Sequence, residues 1–343
     1  MKKIKSEIIA DSVNEHGDRI TTFVLTYPRI IHAELLTHRL FSRNAASSRA
    51  IPASKMIADI QEDPFIPVAF QKAHKGMQGT EYFEKPTEIT PRILSWKQGA
   101  LQAVEKAKGM LDLGITKQLV NRILEPYQWY TCIVTATEYD NFFELRCPQY
   151  FIETSDSKMP VFKSKKDAKD YCKSVATDSM TDLDWLKCNT GQGEIHISLL
   201  AEAMWDARNE SEPKELKAGQ WHIPFGDRID HGRLEDLLEA YARDRGEHYD
   251  EIHTEHLIKI ATARCARVSY LNFEGKDDYA ADIKLYDMLK ASGHFSPFEH
   301  CARAMSKDEF FTHSHNTGIQ KDEIRSLGWS GNFRGFVQLR QEI

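Results

Sequence analysis

The stretch PRIIHAELLTHRLFSRNAASSRAIP spans residues 28–52 and holds the densest group of chemically active side chains in the protein. Among its cations and hydroxyls, which have few acidic neighbours, are Arg39, Arg43, Arg49, Ser42, Ser47 and Ser48. Arginine grips a phosphate through two parallel hydrogen bonds, and serine hydroxyls with backbone N–H groups complete such a cage. The stretch therefore indicates an oxyanion pocket. The alternative is a solvated surface helix with serine caps.

A second informative region lies near the other end of the chain. It reads ARCARVSY at residues 263–270 and GHFSPFEH at residues 293–300, where His294 and His300 flank a Ser-Pro-Phe turn. An isolated histidine packs inside a protein more often than it binds a ligand. Two histidines separated by five residues do not form a metal-binding pattern. We therefore expect no metal site here.

A third region is split between two places. The tripeptide Glu144-Leu145-Arg146 ends an apolar segment, and residues 191–196 read GQGEIH immediately before an apolar helical stripe at residues 197–208.

Together these regions resemble the flavin-dependent thymidylate synthases of the ThyX type. That family carries a Q-x-x-R-H-R-x-x-S-x-N-x-x-S-x-R signature, matched here by Glu34, Thr37, His38, Arg39, Ser42, Asn44, Ser47 and Arg49. Its A-R-V-S and G-H-x-x-P-F-E-H signatures are matched at residues 266–269 and 293–300. Its N-L-R and H-A-Q-x-E-I-R block is matched at residues 144–146 and 191–196.

The order of the blocks differs from that of the family, in which the A-R-V-S block precedes the R-H-R block. The chain is similar to a circularly permuted, bacteriophage-like member, an arrangement that is tolerated when the original termini lie close together. The resemblance implies an α/β (α+β) fold, with a mixed sheet flanked by helices in one catalytic domain over residues 1–343. Its expected parts are an inserted segment at 147–190, a joining segment at 209–255 and a permuted N-terminal block at 256–305. The block at 263–300 should pack against the chain that follows Pro28.

The resemblance also implies residue roles. The residues expected to hold FAD are His38, Arg39, Arg146, His294 and Ser269. Those expected to hold the nucleotide monophosphate are Glu34, Thr37, Ser47, Ser48 and Arg49. Those expected to take part in catalysis are His196, Arg49 and Ser47. Family members are homotetramers with shared active sites, and they use methylenetetrahydrofolate and NADPH as co-substrates without a cysteine nucleophile.

The implied reaction is transfer of a one-carbon unit to carbon 5 of a pyrimidine deoxynucleotide, with conversion of dUMP to dTMP as the first expectation. The chain departs from the family at several positions. Thr37 replaces an arginine, Ala45 stands where the family usually has Glu, and His196 replaces the arginine that favours ionised uracil. An arginine expected near Thr131 or Cys132 is also missing. A neutral histidine stabilises an N3-deprotonated ring only weakly. Cytosine has no N3 proton to lose, so hydroxymethylation of dCMP for modified phage DNA is the alternative. A catalytically inactive nucleotide- or nucleic-acid-binding scaffold is a third possibility of another class.

Composition limits the class of protein. The 343 residues are 41% hydrophobic and 28% charged, with a net charge of −6. This balance is typical of a globular protein and unlike a disordered chain or a general polynucleotide binder. No apolar run approaches the ~18 residues of a spanning helix, and the N-terminal residues lack the apolar core of a signal peptide. We therefore expect a cytoplasmic protein (host cytoplasm if viral) that acts on a small-molecule substrate, without membrane or nucleic-acid partners.

The six cysteines form no C-x-x-C pair. They are expected to be reduced thiols, and a zinc site across Cys147, Cys172 and Cys188 is the alternative.

Local patterns predict several elements. Alternating residues on both sides of His16-Gly17-Asp18 predict a hairpin over residues 1–27. A helix is expected to begin at Thr90-Pro91 and to end near Leu113, before Gly114. Further helices are predicted over residues 232–245, 254–267 and 278–292, and loops over 63–90 and 209–230.

Overall fold

The computed structural model describes residues 3–76, 79, 81–147, 151–153, 158–160, 166–167, 170, 193–245, 249–270, 278–315 and 333–343. The strands in these ranges are β1 (Lys5–Asn14), β2 (Arg19–Pro28), β3 (Ser42–Ala45), β4 (Trp129–Ala136), β5 (Phe151–Glu153), β6 (Lys158–Pro160), β7 (Lys214–Leu216), β8 (Trp221–His222), β9 (Ala302–Ala304) and β10 (Phe336–Gln338). The α-helices are α1 (His32–Leu35), α2 (Ala53–Glu62), α3 (Pro86–Asp112), α4 (Lys117–Val120), α5 (Asp140–Arg146), α6 (Ile195–Glu210), α7 (His231–Arg245), α8 (Tyr249–Arg267), α9 (Tyr279–Ala291) and α10 (Lys307–His315).

The predicted N-terminal hairpin is confirmed as β1 and β2. Its turn is closed by the backbone N–H of Asn14, which donates to the carbonyl of Asp18 at 3.0 Å. Gly17 adopts a φ of +84°, a conformation that side-chain-bearing residues rarely take. The turn could be predicted from the sequence because Gly17 lies where the turn requires a left-handed residue.

The central sheet has five strands in the order β3-β4-β2-β1-β7. Strands β1, β2, β3 and β4 pair antiparallel, whereas β7 pairs parallel with β1. A second sheet has the order β10-β9-β8, and β5 pairs with β6. The expected mixed sheet with helices around it is confirmed.

Both faces of the sheet are covered. On one face Phe23, Leu25 and Tyr27 of β2 pack in a large apolar cluster with residues of α3, α5 and α6. On the other face Val24 and Ile133 pack against Cys265, near the end of α8, and against Val268, which follows the helix. Strand β2 is consequently buried along most of its length, which explains why its residues are apolar on both sides.

Two local predictions were wrong. The helix expected at Thr90 begins at Pro86, because Pro86 occupies its first turn and the Glu88 carboxylate accepts a hydrogen bond from the Lys85 backbone N–H at 3.4 Å, leaving Pro91 inside the helix. The expected loop at 209–230 contains β7 and β8. Strands this short show no alternation that a sequence pattern can reveal.

The remaining helix predictions agree with the structure within a few residues. Helix α6 covers the apolar stripe at 197–208, and α9 ends before Gly293, which has a φ of +72°. Helix α8 begins five residues earlier than the predicted Thr254.

The block at 263–300 lies against the stretch that follows Pro28, as predicted. The Asn44 side chain donates to the Cys265 carbonyl at 2.5 Å, and the Ser47 N–H donates to the Ser269 carbonyl at 3.0 Å. Circular permutation and the proposed segment boundaries remain predictions. Most of the expected insertion at 147–190 lies outside the described residues.

A buried polar chain crosses the sheet. The Ser12 hydroxyl pairs with His222 Nδ1 at 2.9 Å, and His222 Nε2 pairs with the Thr22 hydroxyl at 2.8 Å. The Thr22 hydroxyl pairs with that of Thr135, which pairs with His300 Nδ1, both at 2.8 Å. This chain connects β1, β2, β4 and β8 to His300, so His300 packs in the interior rather than facing an open site.

Four cysteines fall in the described ranges, and all are buried free thiols: Cys132, Cys147, Cys265 and Cys301. The alternative zinc site depends on Cys172 and Cys188, which lie outside those ranges. Among described residues, no group of three His, Cys, Asp or Glu side chains is placed to hold a metal ion. No helix in the described part of the chain has the length and apolar character needed to cross a bilayer.

Candidate functional site

Residues from the first and third sequence regions meet beside α1. Glu34 lies in α1, and its Oε2 is 3.6 Å from Nη1 of Arg146, the last residue of α5. The backbone N–H of Glu194, which precedes α6, donates to the same Glu34 oxygen at 3.4 Å. The fold thus brings together residues that are up to 160 positions apart in sequence. We call Glu34, Arg146 and Glu194 the arginine cluster.

Gly193 allows this approach. A Cβ atom added to Gly193 would lie 2.1 Å from Arg146 Nη1, which is far inside any tolerated contact. The Arg146 guanidinium therefore packs directly against the backbone at Gly193. Burial lowers the pKa of Arg146 from its ordinary value, and the nearby Glu34 carboxylate opposes that shift. Arg146 remains a cation with only 8% of its surface exposed.

His38 lies next to this cluster. Its ring packs edge-on against Phe142, with centroids 4.7 Å apart, and stacks on Phe41 at 5.7 Å. Burial, followed by the positive charges of Arg146 and Arg43, lowers the pKa of His38 to about 4. The imidazole is therefore neutral at physiological pH. Its Nε2 is buried and finds no hydrogen-bond partner within the described ranges.

His196 is held by contacts at both ring nitrogens. The Val68 backbone N–H donates to Nε2 at 3.0 Å, so Nε2 is unprotonated and Nδ1 carries the proton. This assignment of the tautomer follows from the hydrogen-bond pattern. Nδ1 then donates to the Glu194 carboxylate at 2.7 Å, and the same carboxylate caps α6 by accepting from the His196 N–H at 2.8 Å. Phe65 lies edge-on to the ring, which is 1% exposed.

The Ser47-Ser48-Arg49 segment lies beyond the end of β3. The Ser48 carbonyl accepts a hydrogen bond from the Asn121 side chain at 2.6 Å, which holds the segment against the short helices after α3. Ser48 is buried, Ser47 is half-buried, and Arg49 is exposed. Arg49 makes no hydrogen bond or ion pair to another residue of the described ranges, so its guanidinium is available to a ligand.

Two adjacent cavities lie near these residues. The first, of about 220 Å³, is lined by Ser48, Tyr130, Thr131 and neighbouring residues. The second is an apolar groove of about 460 Å³, lined by Phe65, Leu199 and His196 among others. Both are lined by Lys3, Asp63 and Trp129. The predicted nucleotide-binding Ser48 and the predicted catalytic His196 therefore line neighbouring compartments. We call these the Ser48 pocket and the His196 groove.

Other predicted residues lie at or beyond the edge of the arginine cluster. Thr37 and Arg39 are exposed, and the Thr37 hydroxyl donates to the Glu34 carbonyl at 2.7 Å. His294 is also exposed, and its Nδ1 pairs with the Ser292 hydroxyl at 3.1 Å. Ser269 lies beside Ser47. No contact within the described part of a single chain joins His294 or Ser269 to Arg146.

Sequence reasoning missed the residues that shape the two cavities. Trp129, Thr131 and Lys3 belong to none of the matched motifs. The pairing of β4 with β2 places Trp129 and Thr131, and Lys3 lies two residues before β1. A lysine or threonine in a strand carries no spacing signal that would identify it as a site residue.

Comparisons with known proteins give little further information. No protein-family model and no curated protein matches the chain. Among solved structures, it is similar to the UMP/dUMP methylase PolB from Streptomyces cacaoi bound with 5-Br UMP. The identity is 18% and the TM-score 0.34, over 43% of this chain and 78% of that one. The same methylase bound with 5-Br dUMP gives 14% identity and a TM-score of 0.35, over 51% of this chain and 92% of that one. These values are too low to assign a fold or an activity.

Proposed function

We propose that the protein transfers a one-carbon unit from methylenetetrahydrofolate to carbon 5 of a pyrimidine deoxynucleotide in an FAD-dependent reaction, converting dUMP to dTMP. The observation that carries this proposal is the arginine cluster. It unites Glu34, Arg146 and Glu194 from two separate regions that resemble the flavin-dependent thymidylate synthases. A shared site built from these regions requires them to meet in this way.

The residues around Arg146 are suitable for a flavin. The buried, unpartnered Nε2 of His38 offers a hydrogen-bonding atom to a bound group. Arg146 and the exposed Arg39 add positive charge for a diphosphate. When bound, FAD supplies the reducing equivalents for the transfer, and NADPH restores them. His294 and Ser269 lie outside this group in one chain, so the proposal includes a homotetramer in which subunits share active sites.

Within this proposal, the chain binds and orients its ligands. Glu34 and the Gly193 backbone hold the Arg146 guanidinium in one position, which limits the entropy lost when an anion binds. Ser48 presents its side chain to the Ser48 pocket, and Arg49 lies exposed next to it for the nucleotide phosphate. The His196 groove is lined mainly by apolar side chains such as Phe65, Ile66 and Leu199, which lower the local dielectric constant and strengthen electrostatic interactions beside it.

Hydroxymethylation of dCMP is a second candidate, and His196 favours it. Because Val68 and Glu194 occupy both ring nitrogens, His196 presents no free positive charge to a base. Ionised uracil needs such a charge for stabilisation, whereas cytosine has no N3 proton to lose. A chain that reacts with dCMP would therefore need no arginine at position 196.

The test is a product analysis with the purified full-length protein. We expect bound flavin to be visible by absorbance. We expect dUMP incubated with methylenetetrahydrofolate and NADPH to yield dTMP, identified by mass, with reactions lacking NADPH as controls. Parallel incubations contain dCMP in place of dUMP.

Turnover of dCMP alone would refute the thymidylate reaction and support the second candidate. A colourless protein that takes up no added FAD and turns over neither nucleotide would refute both reactions and favour a binding scaffold.

A further inference from the structure

One row of side chains crosses the sheet at the Ser48 pocket. Lys5 of β1 pairs with Thr26 of β2, and Thr26 pairs with Thr131 of β4. The Thr131 carbonyl then accepts the Ala46 N–H at 2.9 Å, two residues before Ser48. Directly paired residues on neighbouring strands project to the same face of a sheet. This row therefore presents an ammonium group and two threonine hydroxyls on one surface, and all of them line the pocket with Ser48.

The cations of this row are available to a ligand. Lys3 lines the same pocket as Lys5, and both are exposed. Neither ammonium group makes a hydrogen bond or ion pair with another described residue. A Lys ammonium is a compact positive charge with three hydrogen-bond donors, which suits a phosphate monoester.

The pocket is lined by groups of both charges. Asp59 of α2 and Asp63, the residue after α2, line it together with Lys3 and Lys5. A nucleoside monophosphate has matching polarity, because its phosphate is anionic and its sugar hydroxyl donates to carboxylates. An inorganic anion would match the lysines only. The charge arrangement therefore favours a phosphate attached to a hydroxyl-bearing sugar.

We propose that Lys3 and Lys5 bind the phosphate of the pyrimidine nucleotide in the Ser48 pocket. This assignment rests on the proposed function and names residues of the site that lie outside the resembled motifs. Ser48 adds its hydroxyl to the same pocket.

The experiment compares the binding of nucleotide and nucleoside by titration calorimetry. The full-length wild-type protein is titrated with dUMP, dCMP, deoxyuridine and deoxycytidine at low ionic strength. The test variant combines Lys3→Gln and Lys5→Gln. The matched control is Lys55→Gln, which removes an exposed charge from α2 at a position that does not line the pocket. Unfolding midpoints verify that each variant is folded.

The expected result is a specific loss of phosphate recognition. Wild type should bind the monophosphate at least about tenfold more tightly than its nucleoside. The double variant should lose about 10- to 100-fold in monophosphate affinity with nucleoside affinity unchanged, and its salt dependence should be weaker. The Lys55 variant should match wild type.

Two outcomes would overturn the assignment. If the double variant retains the wild-type ratio of monophosphate to nucleoside affinity, Lys3 and Lys5 do not hold the phosphate, although the proposed function stands. If wild type binds neither monophosphate, the proposed function and this assignment both fail.

Discussion

Acidification should destabilise this fold through the two histidines of the buried chain across the sheet. Burial lowers the pKa of His222 to about 4, and burial together with the nearby His222 lowers that of His300 to about 3. In the unfolded chain both titrate near about 6.5. Between these values the unfolded state binds more protons than the folded state. The contribution of these two histidines to the free energy of unfolding is therefore fully present above the unfolded-state pKa. It is lost as the pH drops toward the folded-state values.

The size of the effect follows from these shifts. At about pH 5 each histidine is mostly protonated in the unfolded state and mostly neutral in the folded state. This difference lowers the free energy of unfolding by about 2 kcal/mol per histidine. The pair should thus remove about 4 kcal/mol from the free energy of unfolding between about pH 7.5 and about pH 5. That is a large share of the roughly 5–15 kcal/mol that stabilises a typical protein.

Urea unfolding followed by circular dichroism across this pH range measures the effect. A double variant, His222→Gln with His300→Gln, keeps hydrogen-bonding groups but cannot take up protons. Its free energy of unfolding should vary less with pH than that of wild type, by up to about 1.4 kcal/mol per pH unit for each histidine. The control is His74→Gln in an exposed loop, which should behave like wild type. An unchanged slope in the double variant would refute the reasoning.

The other predictions concern the candidate site and its support. Gly193→Ala should displace Arg146 and abolish flavin binding while the chain stays folded, as judged by absorbance and circular dichroism. Gly109→Ala, where an added Cβ meets nothing within 4 Å, should retain flavin. Arg49→Ala should weaken nucleotide binding by about 1–3 kcal/mol, measured by calorimetry, and unchanged affinity would show that Arg49 does not contact the nucleotide. Asp282→Asn should lower the free energy of unfolding by about 3–5 kcal/mol in urea, because it breaks a buried 2.7 Å ion pair with Arg267; a loss below about 1 kcal/mol would contradict this.

The hairpin and most helices could be predicted because their signals are local. Gly17 lies where the turn needs a positive φ, and Gly114 and Gly293 lie where helices end. Helix α3 shows the limit of such signals, because Pro86 and Pro91 are both acceptable near a helix start. Only the hydrogen bond from the Lys85 backbone N–H to the Glu88 carboxylate decides between them.

The candidate site shows the same difference between local signals and long-range contacts. The motif positions alone identify Glu34 and Arg146 as functional candidates, independently of the contact between them. His196 was also identified, but its fixed tautomer depends on Val68, a residue more than a hundred positions away. Contacts at this sequence separation leave no pattern in the residues that make them.

By itself, the sequence determined which chemical groups the protein carries and where its turns and caps lie, because these depend on a few neighbouring residues. The stretch at 28–52 carried the family resemblance in this way. Tertiary structure alone decided that Arg146 rests on the backbone of Gly193, and that Lys3 and Lys5 share a pocket with Ser48. The physical reason is that strand register and close packing set these distances, and both emerge only when distant segments pair.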